Sequence, residues 1–388
     1  MNAQISFLEG TFTLIHIPLQ SYPCLLQPLI RVLLPQTQSL KGTTSPPSRE
    51  RDGLTTDDQH GFLNISVTPL ECSVVCHSSW AKNVVEPAIK CLSKAAAKAV
   101  SVSTDDYLVI SVISAGMDAA SRVMELTSPL ALAGIPIFFI ATYYSDFILV
   151  PKKAQHAVTQ ALLARGFQLA QNDSDYRFRG HENARTTAAS SQALSTTVTE
   201  LQNRAFDLLR KSNVVPYIEE GLRLVQCSGR EVTHINQEFS RHSSSSRRPG
   251  NGHTRRPSWL DNVDTKLYTA MISAFVSQPR FLSVTLAKDD PPSLLLDKFL
   301  LDIFGDSLVG DTEGELVPIF LDLSSLSYEA TGIVCGVAGK LVGDMESQGS
   351  SELSYLSTAR AGAVILSTKQ AIRALDILKP MLDKQEGK

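Results

Sequence analysis

The sequence predicts an α+β fold assembled from repeated β-α-β-β-α units. Two observations carry that expectation. From Ile137 to Leu163, and again from Leu353 to Leu378, the chain reads as an apolar strand, a loop opened by a threonine (Thr142, Thr358), a second apolar strand and an amphipathic helix. Upstream of each copy lies a further strand–helix pair, Tyr107–Leu132 and Val317–Met345, so the same order is completed twice. That order is half of a ferredoxin-like fold with an antiparallel hairpin. Duplicated units tend to hold ligands where the copies meet, which favours a binding or sensing protein over a catalyst.

The elements follow in chain order. Residues 5–17 are dense in Ile, Leu, Phe and Thr and read as one or two strands around Glu9-Gly10. Leu25, Leu26, Leu29 and Leu33 recur at helical spacing over 22–34, and a Pro- and Ser-rich loop fills 36–60. Strand patterns resume at Phe62–Val67 and Glu71–His77, giving an irregular first module over 1–100. The clearest module spans 105–170. Tyr107–Ile113 is a buried strand, Asp118 a candidate N-cap, Ala119–Leu132 a helix, Ile135–Ala141 and Phe147–Val150 strands, and 151–165 a helix closed by Gly166. Residues 171–262 form a poorly patterned insertion, helix-compatible over Leu194–Leu224 and expected to be disordered over the basic, Ser-rich 240–258. A partial third module, 263–312, offers a helix from Leu267, a strand at Phe281–Leu286 and a second helix at Ser293–Phe304. The fourth, 313–380, repeats the second: strand Val317–Leu323, helix Thr331–Met345, strands Leu353–Ser357 and Ala363–Leu366, helix Thr368–Lys379.

Composition narrows the function classes. The 388 residues are 43% hydrophobic and 19% charged with a net charge of −3, which suits a soluble protein and argues against a nucleic-acid surface. Six cysteines are too few for a disulfide scaffold, and Cys72, Cys76 and His77 lack a second pair at zinc-ligand spacing. The apolar N-terminus has no basic n-region and is broken by Pro18, Pro23 and Pro28, so it does not read as a signal peptide. No window holds 18 uninterrupted apolar residues. A soluble, cytoplasmic protein without membrane contact is the expectation. The serines and arginines of 240–258 read as a solvated linker, since no aromatics interleave them.

No catalytic constellation is present: no Gly-rich phosphate loop after a strand, no GxSxG, no HExxH. Neither a cofactor nor a metal is expected, and the chain is not read as an enzyme. Gly332, Gly336 and Gly339 form GxxxGxxG, which suits either backbone approach to a carboxylate at a helix N-terminus or close helix packing. Asp146, without a partner at useful spacing, reads as a turn residue or a rim contact to a partner protein. Tyr143 and Tyr144 beside it suit a protein interface or a half-buried position.

At these motifs the sequence resembles a known family. TYYSDFILV at Thr142–Val150, and YEATGIVCGVAGKL at Tyr328–Leu341 followed by LSYLST at Leu353–Thr358, resemble the second and fourth ACT domains of the CASTOR (GATS-like) family. The resemblance implies four ACT modules in tandem (ferredoxin-like βαββαβ) with side-by-side antiparallel sheets, and no enzymatic activity. It further implies a cytosolic arginine sensor that restrains a GATOR-type complex upstream of the TOR kinase. The ligand would sit between the second and fourth modules. Carried over, Pro136 and Ile137 supply one wall, and Ala330, Thr331, Gly332, Ile333, Thr358, Ala359 and Gly362 the other. Tyr143, Tyr144 and Asp146 occupy the partner-binding loop. ACT sheets leave edges that favour a homodimer.

Three positions depart from the family pattern. Pro136 stands in place of a ligand-contacting serine, Ala330 in place of an acidic residue, and Gly362 in place of the aspartate that pairs with the guanidinium. A buried guanidinium without a carboxylate costs several kcal/mol. The expectation is therefore an amino-acid pocket that has lost its specificity for arginine. The alternative is an interaction scaffold with a decayed pocket.

Overall fold

Most of the described strands find a partner on both sides, and the reason lies in how the units are joined. The computed structural model describes residues 3–34, 60–114, 119–170, 191–230, 264–288, 290–345 and 353–383. A leading strand β1 (Ala3–Phe7) precedes the first unit, β2 (Phe12–Ile17), α1 (Tyr22–Leu33), β3 (Phe62–Val67) and β4 (Cys72–His77). Short helical turns and β5 (Ser101–Val102) lead to the second unit: β6 (Tyr107–Ser114), α2 (Ala119–Leu132), β7 (Phe138–Ala141), β8 (Asp146–Pro151), α3 (Gln155–Ala164), followed by β9 (Gln168–Leu169). After α4 (Ser191–Lys211) and β10 (Tyr217–Ile218) comes a third unit, β11 (Leu224–Gly229), α5 (Thr265–Val276), β12 (Leu282–Ala287) and β13 (Asp290–Asp297). Following β14 (Leu308–Val309), the fourth unit comprises β15 (Leu316–Asp322), α6 (Ile333–Met345), β16 (Ser354–Ser357), β17 (Ala361–Ser367) and α7 (Thr368–Leu382).

The expectation of separate modules with side-by-side sheets is overturned. The chain folds as one closed antiparallel barrel of twelve strands with five further strands. Within each unit the third strand lies between the first and second: β2-β4-β3, β6-β8-β7, β11-β13-β12 and β15-β17-β16. Each unit thus presents its first and second strands as open edges, and open edges seek partners. First strands join first strands, β2 to β6 through Phe12 and Tyr107, and β11 to β15 through Leu224 and Leu316. Second strands join second strands, β7 to β16 through Ile140 and Leu356, and β3 to β12 along six residue pairs. The ring closes, and the edges that argued for a second copy are used within the chain.

Closure also explains the near-continuous apolar runs, because the barrel strands are buried on both faces. Phe12, Leu14, Val109, Phe147, Leu149, Phe320 and Ile365 point into the barrel. Their neighbours Ile110, Ile148, Val150, Ile319 and Val364 point out beneath the helices of the second and fourth units. Ile15, Ile65, Val74, Val284 and Leu296 do the same for the first and third. At the β3–β12 seam Asn64 donates to Ser283 and Thr285 at 3.2 and 3.0 Å, and Ser66 donates to Asn64 at 2.9 Å. This polar ladder satisfies its buried groups within the seam.

Two further expectations change, and one open choice is narrowed. Ser293–Phe304 is not one helix: Asp290–Asp297 is strand β13, whose Leu294 and Leu296 pack under α5 while Leu295 faces the barrel, and only short turns follow. The helix expected over Leu194–Leu224 ends at Lys211, and β11 begins at Leu224. The glycines of α6 serve packing: a Cβ at Gly336 would come within 2.6 Å of Ala205 Cβ on α4, and one at Gly339 would collide with Gln202 and Met124. Asp118 and the 240–258 segment lie outside the described residues. Among the described residues no helix is long and apolar enough to cross a membrane.

Candidate ligand site between the second and fourth units

The threonine noted in the two repeated loops closes a hairpin turn, and it does so three times. Thr142 donates its N–H to the Ser145 carbonyl at 3.0 Å and its hydroxyl to the same oxygen at 2.6 Å. Thr68 treats Glu71 alike at 2.8 and 3.1 Å, and Thr358 donates its N–H to the Ala361 carbonyl at 2.9 Å while its hydroxyl lies 3.2 Å from that oxygen and gives its one proton to Glu71. The same side chain thus fixes the β7–β8, β16–β17 and β3–β4 turns, a local bond that competes well with solvent.

These turns dock on other units. Glu71, fully buried, faces the Thr358 turn: its Oε1 accepts from Thr358 Oγ1 and from the Arg360 N–H, each at 2.6 Å. Its Oε2 lies 2.5 Å from His16 Nδ1, and Ser73 Oγ accepts from the Ala359 N–H at 3.0 Å. The second unit's turn docks on the third, where the Tyr143 N–H donates to Ser293 Oγ at 2.9 Å and its ring crowds Gly310.

A cavity of about 60 Å³ lies where the fourth unit meets the second. Ile137 and Phe138 form one wall; Leu323, Leu326, Ser327, Tyr328, Ala330 and residues 332–334 form a roof; Tyr355, Ser357, Thr358, Ala359 and Ala361 form the floor. Gly332 has a φ of +79°, a left-handed conformation that only glycine adopts without strain, and it turns the chain into α6. Ile333 and Val334, in the first turn of α6, line the cavity, and the first N–H groups of a helix have no partner within it. The roof is tied down from outside. Glu329 pairs with Lys153, which also pairs with Asp105, both at 3.1 Å. The Arg360 guanidinium lies 4.3 Å from the centre of the Tyr328 ring, whose hydroxyl reaches Ser101 at 3.3 Å.

Among the described residues, none that lines the cavity carries an ionisable acid or base other than the tyrosine phenols. Glu71, the carboxylate nearest the floor in hydrogen-bond terms, has both oxygens engaged by His16, Thr358 and Arg360. At the position where the resemblance points to an aspartate, Gly362 is covered by the Tyr355 ring: a Cβ there would stand 2.5 Å from the phenol oxygen. Burial pushes the Tyr355 phenol far up, so it stays protonated, and no described group hydrogen-bonds it.

Of the residues expected to hold ligand, Ile137, Ala330, Gly332, Ile333, Thr358 and Ala359 line the cavity, whereas Pro136, Thr331 and Gly362 are not part of its described lining. Tyr355, Tyr328 and Phe138 were missed. The hairpin register could have found the first, because Tyr355 opposes Val364 and Ser357 opposes Gly362, which puts the ring diagonal to the glycine. Of the expected partner loop, Tyr144 is half exposed and Tyr143 is less so. Asp146 is buried and paired with Arg122 at 2.9 Å; burial raises its carboxyl above the usual range, against the opposing pull of that guanidinium.

Against known proteins, a family model described as ACT domain matches residues 102–164, so the chain carries an ACT domain, a module class that suggests regulation by a small ligand. No curated protein matches the chain significantly. Among solved structures it is similar to a protein from Agrobacterium tumefaciens (16% identity, 44% of this chain and 93% of that one, TM-score 0.27). It is also similar to aspartate kinase from Synechocystis (10% identity, 99% of this chain and 57% of that one, TM-score 0.32). A third is a Vibrio cholerae protein of unknown function titled a possible transport protein (16% identity, 42% and 89%, TM-score 0.23). At these TM-scores the likenesses carry no argument.

Proposed function

We propose that this chain is a non-enzymatic regulatory protein that binds a small amino acid between its second and fourth units and acts through a protein partner. The observation that carries this is the cavity itself. It joins two units and borders the first turn of α6 behind a left-handed glycine, and its described lining is apolar apart from the hydroxyl-bearing Ser327, Tyr328, Tyr355, Ser357 and Thr358. Such an arrangement suits an α-carboxylate at the helix N-terminus, where N–H groups and the helix dipole favour a negative charge. Ligand binding would favour the closed roof over an open one, by its differential affinity for the two arrangements. The Lys153–Glu329 pair and the Tyr328–Arg360 stack are the contacts that would report that change.

The absent carboxylate argues against arginine. The resemblance supports a cytosolic regulator of a GATOR-like complex in TOR signalling, with the half-exposed Tyr144 loop as the partner-facing surface. Calorimetry of the full chain against each of the twenty amino acids tests the reading: a saturable heat and a melting shift with at least one is expected. Silence from all twenty at millimolar concentration refutes it. A second reading, an interaction scaffold with a decayed pocket, is favoured by the small volume and by the ring over Gly362. It predicts equal partner capture with and without amino acids.

A further inference from the structure

The floor and the roof of the cavity are both held from outside the second and fourth units. Thr358 and Ala359 line the floor, and each is bonded to the first unit: Thr358 gives its hydroxyl proton to Glu71 Oε1 at 2.6 Å, and the Ala359 N–H donates to Ser73 Oγ at 3.0 Å. Tyr328 lines the roof, and its hydroxyl meets Ser101 Oγ at 3.3 Å. Ser73 lies on β4 and Ser101 on β5, and both stand opposite His16 of β2 in the antiparallel register. Residues directly opposite one another share a face of the sheet, so Ser73, His16 and Ser101 form a single polar row. His16 joins that row to Glu71, with Nδ1 2.5 Å from Oε2. Glu71 and Ser73 are each only 1% exposed, and polar groups buried so deeply are retained where their bonds are made.

We propose that the first unit is the platform of the site and Glu71 its positioning residue, so that ligand affinity is set in part by a unit that contributes no described residue to the lining. This rests on the reading of the cavity as an amino-acid site and adds how that site is controlled. Glu71 acts through the floor turn: one oxygen gathers the Thr358 hydroxyl and the Arg360 N–H, which fixes the backbone that carries Ala359 and Ala361 into the lining. Arg360 in turn lies over the Tyr328 ring, 4.3 Å from its centre, so the same turn bears on the roof. Floor and roof thus share one support, and the gap between them is the room offered to a ligand. The β7–β16 seam beside the cavity adds one strand pair, Ile140 with Leu356, and one bond from the Phe139 N–H to Ser357 Oγ. A first unit displaced from the fourth would release the floor and weaken binding. By reciprocity, a bound ligand would hold the first unit in place.

The test is calorimetry of the full chain against the twenty amino acids, repeated on four variants with the amino acid that binds best. Ser73→Ala and Glu71→Ala are each expected to weaken it by at least about fivefold, the lower end of what coupling between sites usually gives. Glu71→Gln keeps an oxygen for Thr358 and Arg360 and is expected to stay within about threefold of the unmodified protein. Asn64→Ala removes a buried polar group of the same unit at the β3–β12 seam, away from the turn, and is expected to shift affinity by less than about twofold. Hydrogen exchange gives the reciprocal readout: the bound amino acid is expected to raise amide protection over residues 68–73 as well as over 358–361. If an amino acid binds and both Ser73→Ala and Glu71→Ala bind it as the unmodified protein does, the inference is overturned while the amino-acid site stands. A loss in Asn64→Ala equal to that in Ser73→Ala also overturns it, because general destabilisation then accounts for the effect. If Glu71→Ala does not fold, Ser73→Ala decides alone. If none of the twenty binds, the site itself fails and this inference with it.

Discussion

Replacing Gly362 by alanine should destabilise the protein, and the loss should depend on one oxygen atom. The new Cβ would lie 2.5 Å from the Tyr355 hydroxyl, about 0.9 Å inside the 3.4 Å at which ordinary contact begins. Both groups are buried and the ring is held by the core, so the overlap cannot be relieved by swinging a free end. Overpacking of this kind costs about 1–3 kcal/mol. Tyr355→Phe alone deletes a hydroxyl without a described partner and should leave stability within about 0.5 kcal/mol of the starting protein, or raise it. In the Phe background the nearest atom to the new Cβ becomes the ring carbon at 3.2 Å, tight by a few tenths of an ångström. Gly362→Ala should then cost under about 1 kcal/mol, and the double-mutant cycle should show a coupling of about 1–2 kcal/mol. Urea unfolding of the four proteins, followed by far-UV circular dichroism, measures all three quantities. Additivity within about 0.5 kcal/mol would mean the phenol does not cover Gly362, and the account of the pocket floor would fall with it.

Three more outcomes follow from the same structure. Glu71→Ala removes the acceptor shared by Thr358, Arg360 and His16 and should cost about 3 kcal/mol or more in urea unfolding; a loss below about 1 kcal/mol would rule out Glu71 as the clamp between the first and fourth units. His60 is buried with Nε2 against the Leu33 carbonyl at 2.9 Å, and burial lowers its pKa from 6.5 to about 4. The unfolded chain takes the proton first, so this contribution is full above pH 6.5 and is lost as pH falls towards 4, by about 3 kcal/mol; His60→Phe should flatten that part of the stability–pH curve relative to the unmodified protein. Gly336→Leu should push α4 off α6, costing about 2–3 kcal/mol and lowering amide protection in α4; unchanged protection would contradict the packing seen at Ala205.

The local order was legible because it is written in period and punctuation. Apolar runs bounded by turn residues marked Tyr107–Ile113 and Val317–Leu323, and the threonine opening each loop marked a turn whose bond is made within four residues. The same cue at Thr68 went unread because the first unit is divergent and its turn reads TPLE. β13 was read as a helix because Leu294, Leu295 and Leu296 are buried on two faces, and an apolar run carries no period to separate strand from helix. Barrel closure was not legible at all: which edge meets which is decided by pairs such as Val67 and Leu282, far apart in the chain and without a local signature. The site was half legible. Its helix and glycines followed from the repeat, but Tyr355 became visible only once the register of β16 and β17 was fixed.

The seam between β3 and β12 has a consequence for how the chain reaches its native state. Its six pairs join residues 62–67 to residues 282–287, so the most extensive inter-unit pairing cannot form until the third unit exists. The leading strand β1 similarly waits for β6 and β9 of the second unit. Pairings of such sequence separation delay folding, because loop closure must precede any reward. During synthesis β3 is left as an apolar strand with an unpaired edge, a species prone to stray association. Asn64 and Ser66 lie on that strand, facing what will become the barrel. Until Ser283 and Thr285 arrive, their polar groups favour water over an intruding apolar strand, and the ladder that later fixes the seam thereby guards it during biogenesis.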